Sequence, residues 1–163
     1  MSNISYYNQI SKGYEELHKE EQQKKIAIIK EHIQFHENWR VLDVGCGPYF
    51  ADLKGKVIGI DPARKLLKVA QKKIPVIEGK GELLPFKDNV FMAVISITAL
   101  QNFTSIEKGI KEMKRVAKEY IAISVLKKSS MIQIIEELIP KMLKVERIVE
   151  EEKDIIFFCR KWK

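Results

Sequence analysis

The chain has 163 residues, 45% of them hydrophobic, with 29 Lys and Arg against 22 Asp and Glu and a net charge of +7. That length supports one domain over residues 1–163 with a substantial core, but no separate substrate domain. No apolar run approaches the ~18 residues of a membrane span, and Met1-Ser2-Asn3-Ile4-Ser5 lacks the basic-then-apolar order of a secretory signal, so a cytoplasmic protein with no membrane segment is expected.

Two N-terminal helices are predicted over 3–17 and 20–36, the second from Ile26, Ile29 and Ile33 at helical spacing. Strands follow over 39–44, 56–60, 75–78, 90–96 and 119–126, with helices over 62–73, 105–118 and 130–140 between the later ones. Thr104-x-x-Glu107 and Ser130-x-x-Gln133 have capping-box spacing, and Asp61 with Pro62 reads as an N-cap followed by the first helical residue. Between Gly47 and Lys56 there is room for little more than two helical turns, so any helix there is shortened or irregular. The tail, Lys144 to Glu150 and Asp154 to Arg160, reads as a hairpin turning over Glu151 to Lys153. This is an α/β pattern.

The chemistry is concentrated at Val41-Leu42-Asp43-Val44-Gly45-Cys46-Gly47, an apolar strand ending in an acid and a two-glycine turn. A second strand ends in Asp61, 18 residues after Asp43. Glycines let a backbone approach a ligand closely, and an acid at that distance can accept hydrogen bonds from a ribose, so the pair marks a nucleotide-type cofactor site. A dinucleotide would need a third glycine and free N–H groups at a helix N-terminus for its pyrophosphate. Here position 48 is Pro, Tyr49 and Phe50 are bulky, and Asp43 places negative charge where the phosphates would lie. A cationic ligand suits the turn better.

On these residues the chain resembles the class I S-adenosylmethionine-dependent methyltransferases, of the small type 11, UbiE-like kind, whose first motif is an acid-x-Gly-x-Gly turn. Asp61-Pro62-Ala63-Arg64-Lys65-Leu66-Leu67 is similar to the family's second-strand acid and the stretch after it. Gly79-Lys80-Gly81-Glu82-Leu83-Leu84-Pro85-Phe86 is similar to its Gly-Asp-Ala-Glu-x-Leu-Pro-Phe segment along the adenine edge, with Lys80 where many members carry Asp. The resemblance implies a Rossmann-like sandwich: a mostly parallel seven-stranded sheet with an antiparallel C-terminal hairpin strand over residues 37–163. It implies S-adenosyl-L-methionine as cofactor, held by Asp43, Gly45, Cys46, Gly47, Asp61, Pro62, Gly81, Glu82 and Ser96. Tyr7 and Tyr14 join that set through an N-terminal segment, within 1–36, that covers the cofactor in small members; equally, Tyr6, Ile10 and Tyr14 at helical spacing would simply pack a helix.

Ser96-Ile97-Thr98-Ala99-Leu100-Gln101-Asn102 occupies the family's catalytic-loop position, and Gln101 and Asn102 are the candidates to meet an acceptor, with loop capping the alternative for Asn102. The loop has no Asn-Pro-Pro-Tyr, which argues against methylation of planar amides and exocyclic amines. Cys46 and Cys159 are too few for a disulfide framework or a zinc site, and no metal is expected. The basic balance fits either an RNA partner or a Lys-, Glu- and Ile-rich source composition. Tyr6-Tyr7-Asn8 with Ser96 to Gln101 is similar to a guanine methyltransferase of small-subunit rRNA that works with a small zinc-binding activator subunit. The leading expectation is therefore methylation of RNA (tRNA or rRNA) or another translation-related macromolecule; the alternatives are a small-metabolite methyltransferase and a non-catalytic cofactor-binding subunit.

Overall fold

The computed structural model describes residues 11–162, and side chains from His18 onward. Seven strands form one sheet in the order β3-β2-β1-β4-β5-β7-β6. They are β1 (Arg40–Val44), β2 (Lys56–Asp61), β3 (Val76–Glu78), β4 (Phe91–Ile97), β5 (Ala117–Leu126), β6 (Lys144–Glu150) and β7 (Asp154–Arg160). The first five run parallel, and β7 inserts antiparallel between β5 and β6. The expected sheet and terminal hairpin are both present. The α-helices among the described residues are α1 (Ser11–His32), α2 (Arg64–Ala70), α3 (Ile106–Val116) and α4 (Ile132–Met142).

Strands covered on both faces carry apolar residues on both, and the buried stretches of β1, β4, β5 and β7 are predominantly apolar, with Asp43, Ser96, Ser124 and Asp154 as buried polar exceptions. Alternate residues go to opposite layers. Leu42, Val94, Ile121, Ile123 and Phe157 pack with Ile110 and Met113 of α3 and Ile135 and Ile139 of α4. Val41, Ala93, Ile95, Ala122 and Phe158 pack with Ile26, Ile29 and Ile33 of α1 and Leu67 of α2. By the same alternation Asp43 lies on the α1 face, in a predominantly apolar layer.

Several local expectations are corrected. The helix runs unbroken through 17–20, because no Gly or Pro interrupts Tyr14 to Glu31. Ala63, not Asp61, is the N-cap of α2, since the Asp61 carboxylate is already engaged with two backbone N–H groups. The capping register before α3 is one residue later than expected: Ser105 accepts from the Lys108 N–H at 3.3 Å. Ser130 caps nothing; Met131 is the N-cap of α4, and Ser129 Oγ accepts the Met131 N–H at 3.1 Å. Where a βαβ unit ordinarily carries a helix between β1 and β2, residues 45–55 form only turns, with Tyr49 (φ 60) and Asp52 (φ 45) in the left-handed region. Tyr49 is buried in the vacated space, its hydroxyl accepting the Leu53 N–H at 2.9 Å while Lys73 donates to its carbonyl at 3.0 Å.

Candidate functional site

The C-terminal ends of β1, β2 and β4 meet at a solvent-open cleft of about 740 Å³, bordered by Gly45, Gly47, Asp61, Pro62, Leu66, the strip Gly79 to Glu82, and residues 97–99 and 102–104. A parallel sheet places ligands at such a site, where strand order reverses from β1 outward. Gly45 (φ 75) and Gly47 (φ 51) make the turn possible. A Cβ on Gly45 would lie 2.5 Å from the Cβ of Ala99, so this glycine lets the loop after β4 close directly onto the turn.

The hydrogen bonds of the turn decide what it can hold. Gly45 and Cys46 donate their N–H groups to Ile60 O at 2.8 and 3.1 Å. Gly47 donates to Asp61 Oδ2 at 2.9 Å, Tyr49 donates to Cys46 O at 3.0 Å, and Pro48 has no N–H. Every amide from 45 to 49 is thus satisfied inside the protein, and no helix follows to add a positive dipole end. An anion nest for a pyrophosphate requires both.

Two acids flank the turn instead. Asp61, at 8% exposure, accepts from Gly47 N–H and, through Oδ1, from Ala63 N–H at 2.8 Å. Burial raises its carboxyl from the ordinary range, and those two N–H bonds oppose the rise. Asp43 is 3% exposed and is pushed up to about 8, chiefly by burial and secondly by the charge of Asp61. It lines a small recess with Gln22, Ile26, Gly45 and Cys46. Because Gly45 borders both the recess and the main cleft, a ligand cation reaching past Gly45 would meet Asp43.

This carries a pH dependence. Below an ordinary aspartate's 3.8 both folded and unfolded chains hold the Asp43 proton; between there and about 8 only the folded chain holds it, so this group makes stability fall as pH rises through that window. A ligand ammonium beside Asp43 favours the carboxylate and displaces the proton. Binding of S-adenosylhomocysteine is therefore expected to strengthen from pH 6 to pH 8 and to release protons at pH 7. Calorimetry in buffers of differing ionisation enthalpy measures that release, and proton uptake would refute the assignment.

Of the other expected site residues, Pro62, Gly81 and Glu82 border the cleft, and so does Asn102, in the 3-10 turn Leu100–Asn102. Glu82 turns its carboxylate away to accept N–H groups of Thr104 and Ser105 at 2.9 and 3.4 Å, so its backbone is what faces the ligand space. Cys46 packs its Sγ over Gly59 in the α1-side layer and donates its S–H to Gly47 O at 3.4 Å, so its side chain braces the turn and lies outside the cleft lining. Ser96 is fully buried in β4 and lies outside the lining. Gln101 also stays out of the lining and braces the loop, its Nε2 donating to Thr98 O at 3.1 Å. The lid residue Tyr7 and the side chain of Tyr14 lie outside the described residues.

Leu66, Thr98 and Phe103 line the cleft without having been singled out in the sequence. For Phe103 a signal existed: Cβ atoms on Gly81 and Gly109 would each lie within 2.5 Å of its ring, so these two glycines make its slot. Among the described residues no cluster of His, Cys, Asp and Glu could hold a metal, and no helix is long and apolar enough to cross a membrane.

Comparison with known proteins agrees with this geometry. Residues 42–120 match the family model described as a methyltransferase domain. The chain is similar to an uncharacterised protein of Methanocaldococcus jannaschii, 39% identical over 95 residues, covering 57% of this chain and 45% of that one. It is 34% identical over 111 residues to the demethylmenaquinone methyltransferase of Chlorobaculum parvum, covering 63% of this chain and 42% of the relative. The chain thus spans less than half the length of these curated relatives. In fold it is similar to a methyltransferase of Aquifex aeolicus dependent on S-adenosylmethionine, with TM-score 0.69, 23% identity and coverage of 83% and 88% of the two chains. It is similar also to a chain of the complex between the Haloferax volcanii Trm112 methyltransferase activator and a methyltransferase, with TM-score 0.80, 13% identity and coverage of 100% and 99%.

Proposed function

We propose that this chain, whose residues 42–120 match a methyltransferase domain, is a class I S-adenosylmethionine-dependent methyltransferase that binds its cofactor in the cleft at Gly45 to Gly47 and catalyses methyl transfer to RNA or another translation-related macromolecule. The observation that carries the cofactor assignment is the turn whose amides are all spent internally, with one buried acid, Asp61, bordering the cleft and a second, Asp43, in the recess that adjoins it at Gly45. Asp61 would take the ribose hydroxyls, Asp43 the ammonium, and the strip Gly79 to Glu82 with Phe103 the adenine. The bound cofactor supplies a sulfonium methyl that is open to in-line displacement.

The protein's part is positioning and exclusion of water. Among the described lining residues the ionisable side chains are Asp61, Lys80 and Glu82, and the two acids already accept backbone N–H groups. No acid–base pair is assembled, which suits an acceptor that arrives as its own nucleophile. Asn102, on the cleft wall after β4, is the residue placed to orient it.

A large acceptor is supported by the short loops after β4 and β5 and by the net charge of +7. The partner of the Haloferax volcanii neighbour makes a small activator subunit part of this proposal. A second reading, a small-metabolite acceptor, is favoured by the 34% identity to a demethylmenaquinone methyltransferase. The two readings separate when labelled S-adenosylmethionine is incubated with cell extract, with and without a candidate activator, and label is counted in RNA, protein and small-molecule fractions. Label in RNA or protein is the expected result. Label confined to small molecules would support the second reading, and none anywhere would leave a non-catalytic cofactor-binding subunit.

A further inference from the structure

Thr98 stands at the end of β4 with φ 52, a left-handed conformation that a β-branched residue adopts only when its surroundings impose it. Those surroundings are explicit. Its N–H donates to the carbonyl and hydroxyl oxygens of Ser124 at 3.0 and 2.9 Å. Its hydroxyl donates to Asp154 Oδ2 at 2.6 Å and accepts from Lys25 Nζ at 2.9 Å. Lys25 Nζ also pairs with Asp154 Oδ1 at 3.0 Å, and the two side chains are 2% and 0% exposed. Burying an ion pair costs several kcal/mol of desolvation, and well-packed apolar residues would stabilise the same position at least as well. Stability alone therefore does not account for the pair.

The consequence of Thr98's conformation lies one residue on. Thr98 and Ala99 both border the cleft, and Ala99 is the residue against which Gly45 is packed. Lys25 comes from α1 and Asp154 from the start of β7, so two distant elements converge on the wall facing the glycine turn. The helix is seated beside that hairpin by two further contacts, Lys24 with Glu152 at 3.5 Å and Glu21 with Lys153.

We propose that Lys25 and Asp154 are positioning residues for the cofactor cleft: they hold Thr98 in its left-handed conformation and thereby set the Thr98–Ala99 wall against Gly45. The seating of α1 is by this route coupled to cofactor affinity. The proposal rests on the cofactor reading above and goes beyond it.

The test compares S-adenosylhomocysteine dissociation constants, by calorimetry, with urea midpoints for wild type, Lys25→Met/Asp154→Leu and Thr98→Val. The double variant removes both charges together and is expected to keep a urea midpoint near wild type while binding about tenfold or more weakly. Thr98→Val keeps the ion pair but removes the hydroxyl it holds, and the same loss of affinity is expected; this variant decides the matter if the double variant fails to fold. Wild-type affinity in either folded variant would overturn the positioning role. Absence of binding by the wild-type protein would instead overturn the cofactor reading itself, and the proposal with it.

Discussion

Lys25→Ala is expected to lower the unfolding free energy by about 3–5 kcal/mol, a large share of the ~5–15 kcal/mol that a domain of this size possesses. The loss has two parts. Truncation removes the cation that Asp154 is paired with among the described residues, leaving its carboxylate fully buried, and it leaves the Thr98 hydroxyl without its donor. The neighbouring pairs do not compensate, because Lys24 and Lys153 are both more than 45% exposed and face Glu152 and Glu21 at the surface. Lys24→Ala is the matched control and should cost less than about 1 kcal/mol, as exposed ion pairs do. Urea denaturation followed by circular dichroism measures both. Equal small losses for the two variants would show that the buried pair contributes no more than an exposed one.

Asp61→Ala is expected to weaken S-adenosylhomocysteine binding by about 10- to 100-fold, the value of one or two hydrogen bonds to a charged acceptor. The same substitution leaves the N–H groups of Gly47 and Ala63 without their acceptor, so the turn loosens and stability falls by about 1–3 kcal/mol. The domain still folds, since no core residue of either layer is touched. Titration calorimetry and urea melts separate the two effects. An unchanged dissociation constant with a lowered urea midpoint would reduce Asp61 to a brace for the glycine turn.

The strands were legible because β1, β4, β5 and β7 are predominantly apolar on both faces, and the hairpin at Glu151 to Lys153 because a polar run separates two strand-like stretches; the antiparallel placement of β7 was implied only by the family resemblance. The short distance between Gly47 and Lys56 predicts a shortened or irregular helix after β1, and the structure goes further, with no helix there. Capping was less legible. Asp61 has the sequence of an N-cap, but its carboxylate is drawn to Gly47 across the turn, a contact between segments that local spacing does not encode. Gln101 and Ser96 looked available for a ligand because sequence order gives polarity without direction; one folds back on its own loop and the other is sealed within β4.

The Lys25, Thr98 and Asp154 cluster was invisible for a stronger reason. Its members lie 73 and 56 residues apart, Lys25 reads as one of a pair of solvated lysines, and Asp154 as the polar start of a hairpin strand. Only the seating of α1 on the sheet brings them under cover. Phe103 is intermediate, since Gly81 and Gly109 mark the space it needs without naming the ring that fills it.

Calorimetric titration of the wild-type chain with S-adenosylhomocysteine, and separately with a nicotinamide dinucleotide, tests the central claim most directly. The spent amides of residues 45–49 and the two buried acids predict saturable binding of the first and none of the second. Saturable binding of the dinucleotide with no response to S-adenosylhomocysteine would contradict it.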